Sequence, residues 1–194
     1  MNPLKSIWGT IISGFILSII IIYALGSFKG GINPWEISVW LHVLAGVVWI
    51  GLLYYFNFVQ VPAVAQALAD NDPGPAAINK YVAPRALAWF RWGALVTWIT
   101  GVGALQHMGG AHSAFMLADG MAIIGVGAWL GTIMLLNVWG IIWPCQKRIL
   151  GMKEASPEQI AKCKVWALMA SRTNTLLSIP MLMAMTAQGH GLPF

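Results

Sequence analysis

The stretch from Val39 to Phe58, VWLHVLAGVVWIGLLYYFNF, constrains the fold more than any other part of the chain. About 20 consecutive, mostly apolar residues rising 1.5 Å each match the hydrocarbon thickness of a bilayer, so the stretch reads as a transmembrane helix. Along it His42, Gly46, Trp49 and Leu53 recur at i, i+4, i+7 and i+11 and share one face. That face carries an imidazole, then bare backbone, then an indole, an arrangement that would let a flat cofactor lie close to the backbone beside a ligand. A helix-packing face has the same pattern, with His42 bonded to a carbonyl of a neighbouring helix and Gly46 a close contact. Both readings are open at this point.

Composition carries the membrane reading to the whole chain. Of 194 residues, 58% are hydrophobic and 9% charged, and the mean hydropathy is +0.72, unlike a soluble domain. The formal net charge of +5 comes from cations beside apolar segments. There they set topology and meet anionic lipid, and no nucleic-acid partner is expected. Cys145 and Cys163 frame a basic loop without forming the C-x-x-C-H of covalent haem attachment, which excludes a c-type haem. Both fall on the reducing side, so free thiols are expected.

The expected fold class is all-α, an integral membrane bundle of about five transmembrane helices in a single domain, 1–194. The periodic apolar segments place the helices at about 7–26, 36–61, 86–106, 114–143 and 158–188. The first is nearly featureless and reads as lipid-facing; it is too long for a signal-peptide core. The second should end near Pro62, leaving 61–85 as a break on the membrane surface. Gly46, Gly101, Gly127 and Gly131 are expected at helix contacts. Ser156, Pro157 and Glu158 read as an N-cap, a first-turn proline and an acidic first turn. The connections after helices 2 and 4 hold Lys80, Arg85, Lys147, Arg148, Lys153, Lys162 and Lys164, against Lys29 in those after helices 1 and 3. The positive-inside rule then puts the N-terminus in the cytoplasm and the C-terminus in the periplasm.

Alternating helix directions sort the polar residues into two layers. The outer one holds His42, His107, His112, His190 and Asp119, the last expected one turn into helix 4. Axial ligands approach a haem iron from opposite faces, so imidazoles on separate helices suit haem b. His42 and His190 are the first-choice ligands and His107 the reserve, with Gly46 and Trp49 lining the cofactor. Zinc or copper is a second chemistry for the same residues, and His107, His112 and His190 also read as solvated interface residues. The inner layer holds Asn57, Gln60, Arg91, Asn137, Arg172 and Asn174. Its arginines either snorkel to headgroups or, with Asn137 and Asn174, form a polar pocket for an anionic or quinone-like ligand.

Four ordered blocks carry a family resemblance: Trp40-Leu-His-Val-Leu-Ala-Gly-Val-Val-Trp-Ile-Gly51; Trp89-Phe-Arg-Trp92 with Thr97-Trp98; Gly131-Thr-Ile-Met134 with Asn137 and Ile142-Trp-Pro-Cys-Gln-Lys-Arg148; and Ser171-Arg-Thr-Asn174 with Leu177-Ser-Ile-Pro-Met181. Together they resemble the membrane domain of the bacterial membrane-bound urate oxidase family. The resemblance covers helices 2 to 5 and implies a helical module associated with oxidation of urate or a related reductant, passing electrons toward a cytochrome. His42, His190, Arg172 and Asn174 match the family pattern, whereas Gly125 and Thr173 stand where longer members carry histidines. The chain ends at Phe194 without the cytochrome c domain of those longer members, so an acceptor would be a separate soluble cytochrome c. The expected function is a redox or electron-transfer module of the bacterial inner membrane that binds haem b near the periplasmic side without itself turning over urate. The alternative is a non-catalytic accessory subunit of a larger respiratory or oxidase complex.

Overall fold

The computed structural model describes residues 2–26 and 31–192, so Lys29, used in the topology argument, lies outside the described residues. The chain divides into two compact units, one up to residue 33 and one from Pro34 onward. Among the described residues every regular element is helical.

In the first unit a single turn at Pro3–Lys5, capped by Asn2, precedes α1, Ile7–Leu25. The Ser6 hydroxyl accepts the Gly9 N–H at 3.0 Å and opens the helix. Nineteen residues, all but a few of them apolar, carry it to Gly26, and none is buried within the chain.

The second unit begins with α2, Pro34–Asp70, a helix of 37 residues. Pro34 and Glu36 suit a first turn, where no N–H partner is needed and negative charge is favoured. The expected end at Pro62 does not occur. At Phe56–Gln60 the helix widens into a π turn, closed by the Val61 N–H on the Phe56 carbonyl, and continues through the proline. Two further π turns, Ile78–Val82 and Val138–Ile142, end on the same kind of bond, from Ala83 and Trp143. Each closing residue stands directly before a proline: Pro62, Pro84 and Pro144. Proline lacks an N–H, and its ring collides with the carbonyl four residues back; a wider turn accommodates both demands without ending the helix.

The segment expected as a surface break is therefore mostly helix. It forms the end of α2, a short turn with Asn71 and Gly74 at positive φ, and the π turn that leads into α3, Ala83–Met108. Gly109 and Gly110 stop α3, and a short α4, Ala111–Phe115, follows. Asp119 falls in the turn between α4 and α5, not inside a helix as expected; Leu117 and Gly120 take positive φ there. The fifth helix, α5, is Ala122–Ile149, and α6 is Pro157–His190. The start of α6 is as expected: Ser156 Oγ accepts the Gln159 N–H at 3.2 Å, and Gln159 Oε1 accepts the Ser156 N–H at 3.0 Å.

Among the described residues three helices, α1, α2 and α5, are long and apolar enough to cross a membrane. At 26 and 34 residues α3 and α6 have the length as well. Their charged and polar residues lower their hydropathy; Thr97, Asn174 and Ser178 are buried inside the bundle, whereas Arg85 and Arg172 are exposed. The fold is an all-α membrane bundle.

Small residues set the helix contacts. On α2 and α3 they run from Gly103 against Ser38, through Gly93 against the Trp49 backbone, to Phe56 edge-on to Phe90 at 5.4 Å. A Cβ at Gly127 of α5 would lie 3.3 Å from the Ala184 methyl of α6. The buried face of α6 is Cys163, Ala167, Ala170, Asn174, Ser178, Met181, Ala184 and Ala187, a stripe at helical spacing dominated by small side chains. Close backbone approach of this kind drives helix association where lipid removes the hydrophobic incentive. Gly131 departs from the expectation: it is buried, but a Cβ there would meet nothing within 4 Å.

Candidate functional site

The outer layer centres on His42, half-buried on α2. Its Nδ1 lies 2.8 Å from the Thr97 carbonyl of α3. A carbonyl only accepts, so Nδ1 carries the proton and, in the neutral ring, Nε2 carries the lone pair. The ring lies over Gly101, where an added Cβ would come within 2.8 Å of Nδ1 and Cε1. Gly46 faces the Thr97 methyl, 3.7 Å from where its own Cβ would be. Trp49 is 2% exposed, and its buried indole N–H has no acceptor among the described residues. The face of His42, Gly46, Trp49 and Leu53 is therefore the contact face with α3. The open backbone surface expected at Gly46 is occupied by Thr97.

The other outer residues stand at the ends of elements. His107 is exposed on the last turn of α3, His112 is exposed on α4, and His190 is the exposed last residue of α6. Asp119 is exposed in its turn. Among the described residues no group of three or more His, Cys, Asp or Glu side chains could hold a metal ion. Gln188 ties this end together, accepting the Ile124 N–H at 3.2 Å and donating to the Gly120 carbonyl at 3.0 Å.

The inner layer is a bonded network. Asn174, fully buried on α6, donates to the Met134 carbonyl and accepts from Asn137 Nδ2, each at 2.9 Å, and so joins α6 to α5. Asn57, inside the π turn of α2, donates to the Leu53 carbonyl at 2.9 Å and to Ser171 Oγ at 2.8 Å. Ser178 spends its proton on the Thr175 carbonyl at 2.7 Å, so at the 2.9 Å contact Tyr54 is the donor. The expected single pocket of Arg91, Asn137, Arg172 and Asn174 does not form. Asn137 and Asn174 meet, but Arg91 lies 3.8 Å above the Trp143 ring centroid and Arg172 is exposed in a separate groove beside Asn57. Sequence reading missed Tyr54, Ser171 and Ser178. The spacing Ser171, Asn174, Ser178 on one face of α6 is the signal that could have found them.

The two cysteines are free and buried together with Ala167 at the end of the α5–α6 hairpin. An Arg148 Nη1 lies 3.7 Å from Cys163 Sγ.

With this geometry in place, residues 109–194 match the family model described as urate oxidase N-terminal. This part of the chain is urate oxidase N-terminal-like. The match takes in α4, α5 and α6, and with them His112, Asn137, Arg172, Asn174 and His190. His42, Gly46, Trp49, Arg91 and His107 precede the urate oxidase N-terminal-like stretch. No curated protein and no solved structure matches the chain.

Proposed function

We propose that the chain is a membrane redox module of the urate oxidase N-terminal kind that holds haem b near the periplasmic face of the bacterial inner membrane. One observation carries the reading: the His42 Nδ1 proton is fixed on a backbone carbonyl, which leaves Nε2 free to ligate. Metal-bound imidazoles are oriented by such a second bond, which fixes the tautomer and raises ligand basicity. The buried indole N–H of Trp49, two turns further along the same face and without an acceptor among the described residues, supports a polar guest in the α2–α3 contact. His190 serves as the second ligand, with His107 in reserve. Bound there, a haem supplies one-electron chemistry. The protein fixes the imidazole, limits water and sets the polarity around the ring. The electron acceptor is a soluble cytochrome c.

A reduced-minus-oxidised spectrum of protein purified from haem-replete cells tests the proposal. A haem band that survives His112→Ala and disappears in His42→Ala is expected, and absence of any band refutes it.

A second reading, a non-catalytic accessory subunit of a respiratory or oxidase complex, draws on a different observation. The inner polar groups on α2, α5 and α6 are bonded mainly to one another and to backbone, as in an element whose work is to hold helices together. Copurification at fixed stoichiometry in a colourless complex would favour it.

A further inference from the structure

We propose that the groove between the π turn of α2 and α6 seats the phosphate headgroup of an anionic phospholipid, with Arg172 as its cation. The groove measures about 400 Å³ and is lined by Asn57, Phe58, Arg172, Thr175, Leu176 and Ile179. Its donors identify the guest. Both amide protons of Asn57 are committed, to Leu53 and Ser171, and the Thr175 hydroxyl proton is committed to the Ser171 carbonyl. Arg172 has no hydrogen-bond, ion-pair or ring partner among the described residues, and it supplies five N–H groups. The site therefore offers donors from one cation and wants an acceptor-rich anion.

The walls identify the rest of the molecule. Phe58, Leu176 and Ile179 are 64%, 66% and 67% exposed, and Leu176 and Ile179 follow Arg172 at i+4 and i+7 on one face of α6. A charged head with an apolar chain fits both parts of the groove; a soluble anion would leave those walls bare. A neutral quinone head offers acceptors as well, but it leaves the cost of an unpaired guanidinium beside hydrocarbon unrelieved. A phosphate removes that cost through a bidentate, charge-assisted pair.

Position agrees with this occupant. Arg172 lies in the half of α6 that follows the basic α5–α6 connection, and an arginine there is long enough to reach the interface. Lys147, Arg148, Lys153, Lys162 and Lys164 gather around the α5–α6 connection against Glu154 and Glu158, which draws anionic lipid to this end of the bundle. The inference is independent of the haem proposal.

Native mass spectrometry of the full chain, exchanged into micelles containing phosphatidylglycerol or phosphatidylcholine with the same acyl chains, tests it. Preferential retention of phosphatidylglycerol is expected. Arg172→Gln should reduce that retention about fivefold, the effect of one cation near an anionic surface, and Lys164→Gln should change it little. Ile179→Trp fills the groove while keeping the charge and should also release the lipid; it carries the test if Arg172→Gln does not fold. Equal retention of the two lipids, equal losses from Lys164→Gln and Arg172→Gln, retention unchanged in Ile179→Trp, or displacement of the lipid by a neutral quinone would each overturn the proposal.

Discussion

Replacing Asn174 with Leu removes two hydrogen bonds between α5 and α6 while keeping the number of side-chain heavy atoms, and the structure sets how much the loss of those bonds should cost. Met134, whose carbonyl accepts from Asn174, also accepts the Val138 N–H and so keeps a partner. Asn137, which donates to Asn174, lines a groove of about 390 Å³ and can turn toward it. Neither partner is orphaned, so the larger penalty for a buried unsatisfied group does not apply. Bonds between membrane helices average about 0.6 kcal/mol and reach about 1.7, which puts the loss for Asn174→Leu at about 1–2 kcal/mol. Equilibrium unfolding by sodium dodecyl sulfate in mixed micelles measures it. A double-mutant cycle of Asn137→Ala and Asn174→Ala isolates the pair and should return a coupling of about 0.6 kcal/mol. Zero coupling would refute the assignment of this pair as a helix-joining bond.

Gly101→Leu places a side chain where His42 now lies, so it should separate α2 from α3 and lower the melting temperature, whereas Gly51→Leu, with open space around its Cβ, should not. Cys145 and Cys163 should stay unlabelled by a membrane-impermeant maleimide applied from the periplasmic side of intact cells, and labelling there would reverse the proposed orientation. Membranes containing the protein should show no His42-dependent consumption of urate, with or without added soluble cytochrome c; robust consumption would show that the outer end binds and oxidises a purine.

The sequence made legible what rests on local chemistry. The long apolar run of α1 needed no tertiary information, and neither did the Ser156 N-cap with Pro157 and Glu158 in the first turn, to which the structure adds the return bond from Gln159. The helix ends assigned from proline were misplaced because a proline stops a helix only when the backbone cannot widen, and π turns before Pro62 and Pro144 let α2 and α5 continue. Asp119 was misplaced for the opposite reason. Leu117 at positive φ breaks an apolar stretch that carries no breaker before Gly120. In the candidate site the residue types were readable but their partners were not. His42 could equally face a cofactor or a neighbouring helix until Thr97 was seen beneath it. Arg91 and Arg172 are both expected in the inner layer, yet one lies over Trp143 and the other in the Asn57 groove. Rotation of a helix about its axis separates such residues, and hydropathy does not report it.

The most direct test of the redox account is the haem content of His42→Gly with and without added imidazole. The account predicts stoichiometric haem in the wild-type protein, loss of the reduced band in His42→Gly, and its return when free imidazole fills the space left by the side chain. Haem content unchanged by the substitution, or none in the wild type, would contradict it.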